Sequence, residues 1–184
     1  TATDEMWRAY SDPRGPGPGG YVVVAFGDSP GVATELAALV LAGRKRATCS
    51  LYRDYVDAPD TLPTVGDHVV VVDGAGVPRC IWRTTEVVIK PLIEVDDRFA
   101  WDEGEGDRTR LWWLDAHRGY FARQSANQGF EMSDQIEAVL ERFVVVWPEM
   151  SLTHRRLRER TLAPPRDGIV DAVVAPEHLA VDNQ

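Results

Sequence analysis

Cysteine is nearly absent: Cys49 and Cys80 are the two in 184 residues, too few for a disulfide framework. Positive charge is also short, with 20 Lys and Arg against 29 Asp and Glu and a formal net charge of −9. That balance excludes a protein that coats duplex DNA with a broad basic face. It leaves open a local basic cleft in an acidic body, because a ligand responds to the local field. The four histidines, His68, His117, His154 and His178, lack the paired spacing of a metal site. No charged-then-apolar leader opens the chain, and no apolar run is long enough to span a bilayer. A reduced cytoplasm, two free thiols and no membrane partner are the expectations. There is no internal repeat, and the only low-complexity tract is Gly15-Pro16-Gly17-Pro18-Gly19-Gly20.

What is present turns on Gly43-Arg44-Lys45-Arg46-Ala47-Thr48-Cys49-Ser50, where three cations stand beside two hydroxyls at the end of an apolar helix. Asp28 and Ser29 are N-cap residues, Pro30 suits the first turn, and Val32, Leu36, Leu39 and Val40 recur at helical spacing. Gly43 supplies the left-handed stop. Lys45 therefore follows the carbonyl end of a helix, whose partial negative charge favours a protonated ammonium. From Ala47 to Tyr52 the chain reads as a strand with Thr48, Ser50 and Tyr52 on one alternate face. An ammonium and a hydroxyl three residues apart across this junction can serve one pocket. Equally, Lys45 can complement the helix end while Thr48 is simply a strand former.

Thr3 caps a short helix to Tyr10, and the β-branched run from Tyr21 to Phe26 fits a buried strand. His68 to Asp73 and Arg79 to Lys90 form a hairpin, with Ile81, Val87 and Ile89 on one side and Trp82, Thr84 and Glu86 on the other. Asp96 caps a short helix through Trp101. Asp107 or Thr109 starts a longer one, with Leu111, Leu114, Arg118 and Phe121 as its stripe and Gly129 as its stop. Glu137 to Trp147 alternates as a closing strand ended by Pro148, and the segment from Leu152 to Arg160 is basic and compatible with a helix. Several strands with few helices between them imply an α+β chain, a small mixed barrel with covering helices.

Glu103, Glu105 and Asp107 place three carboxylates within five residues, spaced by glycines that allow a tight turn. The cluster reads first as an acid or substrate contact, next as a helix entry capped by Asp107, and last as a weak magnesium site. His117, on the following helix, is a functional candidate or a partly buried, satisfied histidine. Of the six tryptophans, most suit a core, and Trp82 is the one placed to stack on a base. Arg123 is an anion contact or a solvated helix charge. Ser29 lacks the glycine-x-serine-x-glycine elbow, which excludes that type of serine hydrolase.

Gly43-Arg44-Lys45-x-Ala47-Thr48 resembles the glycine-x-lysine-x-x-threonine signature of the ASCH family, whose small barrel is similar to the PUA domains of RNA-modifying proteins. Phe26-Gly27-Asp28, Leu62-Pro63-x-Val65-Gly66-Asp67, Val72-Asp73-Gly74-x-Gly76-x-Pro78-x-Cys80-Ile81, Glu103-Gly104-Glu105-Gly106-Asp107 and Glu141-Arg142-Phe143 agree in order and spacing. The resemblance implies a PUA-like barrel of the longer subgroup that carries the EGEGD turn. It divides the chain into 1–20, a helix and linker; 21–148, the domain; and 149–184, a C-terminal extension. It also implies action on single-stranded RNA or a modified nucleoside, with no cofactor and no metal.

In one branch of the family the matching lysine, threonine and glutamate are assigned as catalytic residues of an amidase that removes acyl groups from modified cytidine. Single-strand ribonuclease activity is attributed to other members. By position the catalytic residues implied are Lys45, Thr48 and Glu105. Thr48 would attack the carbonyl, Lys45 would act as base or oxyanion partner, and Glu105 would protonate the leaving amine. Arg44, Ser50, Tyr52, Trp82, Glu103 and Arg123 are expected to contact substrate, and a noncatalytic RNA-binding module is the alternative. As a polar site residue, Lys45 is expected to be replaceable by Ala with little loss of stability.

Overall fold

Helix boundaries follow from caps that are local in sequence. In a computed structural model that describes residues 1–14 and 19–148, α1 (Ala2–Ser11) starts from Thr1 rather than Thr3, because Thr1 and Asp4 close a capping box. α2 (Pro30–Leu41) starts at Ser29, whose hydroxyl accepts from the Val32 N–H. α3 (Asp97–Glu103) starts at Asp96, which accepts from the Phe99 N–H at 2.7 Å, and runs two residues past Trp101 to the left-handed Gly104. α4 (Arg110–Gln128) starts at Thr109 and stops at Gly129, while Asp107 holds the Thr109 cap in place at 2.7 Å.

The strands are β1 (Val22–Val24), β2 (Ala47–Leu51), β3 (His68–Val72), β4 (Pro78–Pro91) and β5 (Glu137–Trp147). They form one mixed sheet in the order β1-β3-β4-β5-β2, with β1 parallel to β3 and every other pair antiparallel. Curled as a half-barrel and covered by the four α-helices, this is the α+β small barrel expected. One core cluster joins Leu51, Phe99, Trp113, Phe121 and Leu140 under α3 and α4; a second joins Phe26, Ala37, Val40, Trp82 and Phe143 under α2. α1 closes a third with Tyr10 against Val70 and Ile81. Among the described residues no helix is long and apolar enough to cross a membrane.

Four local readings need correction. β1 is an edge strand with Val22 and Val23 about half exposed, because β3 pairs with it on one side only. α2 buries Ala33, Ala37 and Val40 and leaves Val32 exposed, since small residues let the helix lie close to the sheet. In β4 a register shift between Thr84 and Glu86 breaks the alternation. Trp82 and Thr84 donate to the buried Glu141, whereas Glu86 pairs with Arg142 at 2.8 Å. α4 is turned relative to the expected stripe: Trp113, Leu114, His117 and Phe121 are buried, Leu111 is exposed, and Arg118 reaches Asp134 at 2.7 Å.

The basic segment from Leu152 and the extension from 149 lie outside the described residues. Since the three core clusters close on residues from 1 to 148, a chain ended at Pro148 is expected to unfold cooperatively at the same urea midpoint as the full chain. A lost or broadened transition would place the extension inside the core.

Candidate functional site

The site is built where α2 gives way to β2. Gly43 adopts φ 68, and the backbone N–H groups of Arg44 and Lys45 both donate to the Leu39 carbonyl, at 2.9 and 3.1 Å, so the chain closes tightly after the last turn. Lys45 is then carried inward to 1 % exposure. Its ammonium lies 3.1 Å from Glu103 Oε1 and 2.6 Å from Glu105 Oε1, with the Phe26 ring centroid at 5.3 Å.

Glu103 is the last residue of α3 and is 2 % exposed. Besides Lys45 it accepts from the Cys49 backbone N–H at 3.2 Å and from the Trp113 indole N–H, and His117 Nε2 stands 3.6 Å from its second oxygen. His117 stacks on Trp113, and its other ring nitrogen is 2.9 Å from the Trp113 carbonyl. The turn that follows is clamped by Arg44, whose guanidinium donates to the Gly104 carbonyl at 2.7 Å and to the Gly106 carbonyl at 2.6 Å. A Cβ on Gly104, at φ 74, would meet the Arg44 carbonyl oxygen at 2.2 Å, so only glycine lets the turn approach this closely.

Burial alone would lower the pKa of Lys45, but the charges of Glu103 and Glu105 more than reverse it and hold the ammonium above its ordinary value. Burial would likewise raise Glu103, yet Lys45, His117 and the indole donor hold it well below the usual carboxylate range. The centre is thus an ammonium between two carboxylates. Glu103 is enclosed, and Glu105 is 18 % exposed at the surface of a cleft. The Cys49 thiol is pushed well up by burial and by Glu103, which keeps it protonated and a poor nucleophile. Both cysteines are free.

The cleft has a volume of about 210 Å³. Among its lining residues are Lys45, Thr48, Glu103, Glu105 and Arg123, so five of the nine predicted site residues meet in one place. The Thr48 hydroxyl, half-buried on β2, has no hydrogen-bond partner among the described residues. Ser50 lines an adjoining hollow instead, with its hydroxyl 2.8 Å from that of Tyr55. The other three expected contacts line neither compartment. Arg44 is committed to the back of the acidic turn, Tyr52 leaves the strand in a 3-10 turn, and Trp82 is 1 % exposed, stacked on Phe143 at 4.1 Å and tied to Glu141.

The aromatic walls that sequence reasoning missed are Phe26 and Tyr120, joined by Asp28, which pairs with Arg123 at 2.9 Å. Ala116 and His117 lie four and three residues before Tyr120, and Arg123 lies three after it, so the cleft-facing edge of α4 was present as a helical period. Among the described residues no group of three or more His, Cys, Asp or Glu side chains is arranged to hold a metal ion.

A family model described as the ASCH domain matches residues 22–147. The crystal structure of an ASCH domain from Lactobacillus crispatus JV V101 is similar at 32% identity and a TM-score of 0.74, over 79% of this chain and 94% of that one. A protein of Enterococcus faecalis V583 is similar at 31% identity and a TM-score of 0.73, over 79% of this chain and 88% of its own. No curated protein matches the chain.

Burial of Lys45 overturns the expectation that Ala is tolerated there, because its removal strands Glu103 as an unpaired interior charge. Lys45→Ala is expected to cost about 3–5 kcal/mol in urea unfolding; a loss under about 1 kcal/mol would contradict the buried pair. The shifts also set a pH window. Glu103, lowered from 4.5, contributes stability that is full above that pH and lost as pH falls through its depressed value. Lys45, raised from 10.5, contributes stability that is full below that pH and lost as pH rises through its elevated value. Glu103→Gln is therefore expected to flatten the acid limb of the urea midpoint against pH, and an unchanged limb would refute the assignment.

Proposed function

The chain belongs to the ASCH family, and from that premise we propose that the Lys45 cleft is the active site of a hydrolase acting on a nucleoside-sized group of RNA or a modified nucleoside. The longer, EGEGD-bearing subgroup is the branch its turn resembles. The observation that carries the reading is a buried ammonium shared by two carboxylates, one enclosed and one open to a cleft that also holds an unengaged threonine hydroxyl. Amide hydrolysis on an acylated cytidine uses all three groups. Lys45, held protonated, is not the base. Of its three N–H donors two are taken by carboxylates, and the third is available to an oxyanion.

The base is then Glu105. It takes the Thr48 hydroxyl proton as Oγ1 bonds to the amide carbon, and it returns that proton to the leaving amine as the C–N bond breaks. Water, deprotonated by the same carboxylate, then bonds to the acyl carbon; the ester bond to Thr48 Oγ1 breaks, the proton passes to that oxygen, and the acyl group leaves as a carboxylic acid. Lys45 already supplies positive charge between the carboxylates, so each step is balanced without a metal. Phe26 and Tyr120 offer rings to hold the base. Strand cleavage is a second reading, favoured by Arg123 at the rim, where a phosphate can compete for its guanidinium.

Incubation with acylated cytidine and with unstructured RNA oligomers, followed by mass analysis, separates these readings. Release of free cytidine is expected, and Thr48→Ala should lower it by about 10³-fold or more, as loss of a nucleophile does. Cut RNA that survives Thr48→Ala would select strand cleavage, in which the ribose 2′-hydroxyl is the nucleophile. Bound but intact substrates would leave a noncatalytic binding module.

A further inference from the structure

Next to the Lys45 cleft lies a larger hollow of about 300 Å³ that the reaction above does not use. The two share Asp28, Cys49, Tyr120 and Arg123, so they are neighbouring compartments of one groove. Their linings differ in chemistry. The cleft has an ion cluster at its floor, whereas the hollow is walled by the amides Gln124, Asn127 and Gln128 from the last turns of α4. Asp54 faces them and accepts both available bonds from Gln124 Nε2, at 2.9 and 3.0 Å, which leaves the Gln124 carbonyl oxygen as an acceptor. The amides of Asn127 and Gln128 make no hydrogen bond to another described residue, so donors and acceptors stand unused on one wall.

The charge pattern restricts what such a hollow can hold. Asp54 and Asp28 repel a phosphate inside it, while paired amide donors and acceptors match the edge of a neutral nucleobase. At the junction, Tyr120 lines both compartments. Arg123, 62% exposed and held by Asp28 through Nε and a terminal nitrogen at 3.0 and 2.9 Å, is the cation between them. A phosphate that bridges two nucleosides would sit beside that cation with one base on either side.

We propose that the hollow is a second base-binding subsite, so that the unit recognised is two linked nucleotides of a single strand rather than a free nucleoside. This rests on the cleft reading above and deepens it. Asn127 and Gln128 hold the neighbouring base by its edge, Tyr120 stacks, and Arg123 meets the linking phosphate.

The test is calorimetric titration of the full chain with cytidine and with 2′-O-methylated cytidylyl-adenosine, which cannot be cut through its 2′ oxygen. The dinucleotide is expected to bind at least about tenfold more tightly than the nucleoside, the gain of one stacked base. Asn127→Ala with Gln128→Ala, both on the exposed end of α4, should remove most of that gain and leave cytidine binding unchanged. Cytidine binding without a gain for the dinucleotide overturns the second subsite and spares the cleft. An equal loss for both ligands in the double variant also overturns it. Binding of neither ligand overturns the subsite and the nucleoside reading together.

Discussion

The site depends on one interaction: an ammonium taken out of water and held between two carboxylates. Burying a charge is costly, and a buried pair is repaid only when every remaining donor and acceptor is met. Here the requirement shapes the surroundings of Glu103. Its oxygens take Lys45, a backbone N–H from β2 and the indole of Trp113 on α4, with His117 beside them. The partners come from the α2–β2 junction, from β2 and from α4. The ion cluster therefore ties the end of α2 and the start of β2 to the α3–α4 turn, and three elements cannot shift independently without uncovering a charge.

Two glutamates two residues apart are thereby given different roles. Glu103 is saturated and enclosed, so it fixes Lys45 in place and in its protonated state. Glu105 keeps one contact with Lys45 and an opening to the cleft, which is what the proposed reaction would require of a group that accepts and returns a proton. The same arrangement decides the role of Lys45. A lysine can be a base only if its environment disfavours the charged form, and two carboxylates within 3.1 Å do the opposite.

What was legible in the sequence was what is local. Ser29, Asp96, Thr109, Gly43 and Gly129 mark helix ends through bonds spanning a few residues, and the structure uses all five there. The misplaced elements depend on distant partners. The exposure of β1 follows from which strands lie beside it, and the rotation of α4 follows from Glu103 claiming Trp113 and His117. Trp82 looked free to stack because its buried acceptor, Glu141, is 59 residues away on β5. The meeting of Lys45 with Glu105, separated by 60 positions, was likewise invisible to spacing. Only the likeness of the two motifs to one family put them in the same cleft.

Net acidity then bears on how a nucleic-acid ligand would be held. A body with formal charge −9 repels a long polyanion, and the ammonium at the centre is already neutralised by its own carboxylates. Arg123, the cation at the rim, is engaged with Asp28, so a phosphate gains only what it wins in that exchange. Affinity cannot come mainly from counterion release. For the proposed ligand it would come from contacts that act at short range, Phe26 and Tyr120 in the cleft and the amide wall beyond them. On the proposed reading those contacts would be spent on one or two bases at a time, which fits a groove of two small compartments and not a surface that tracks a strand.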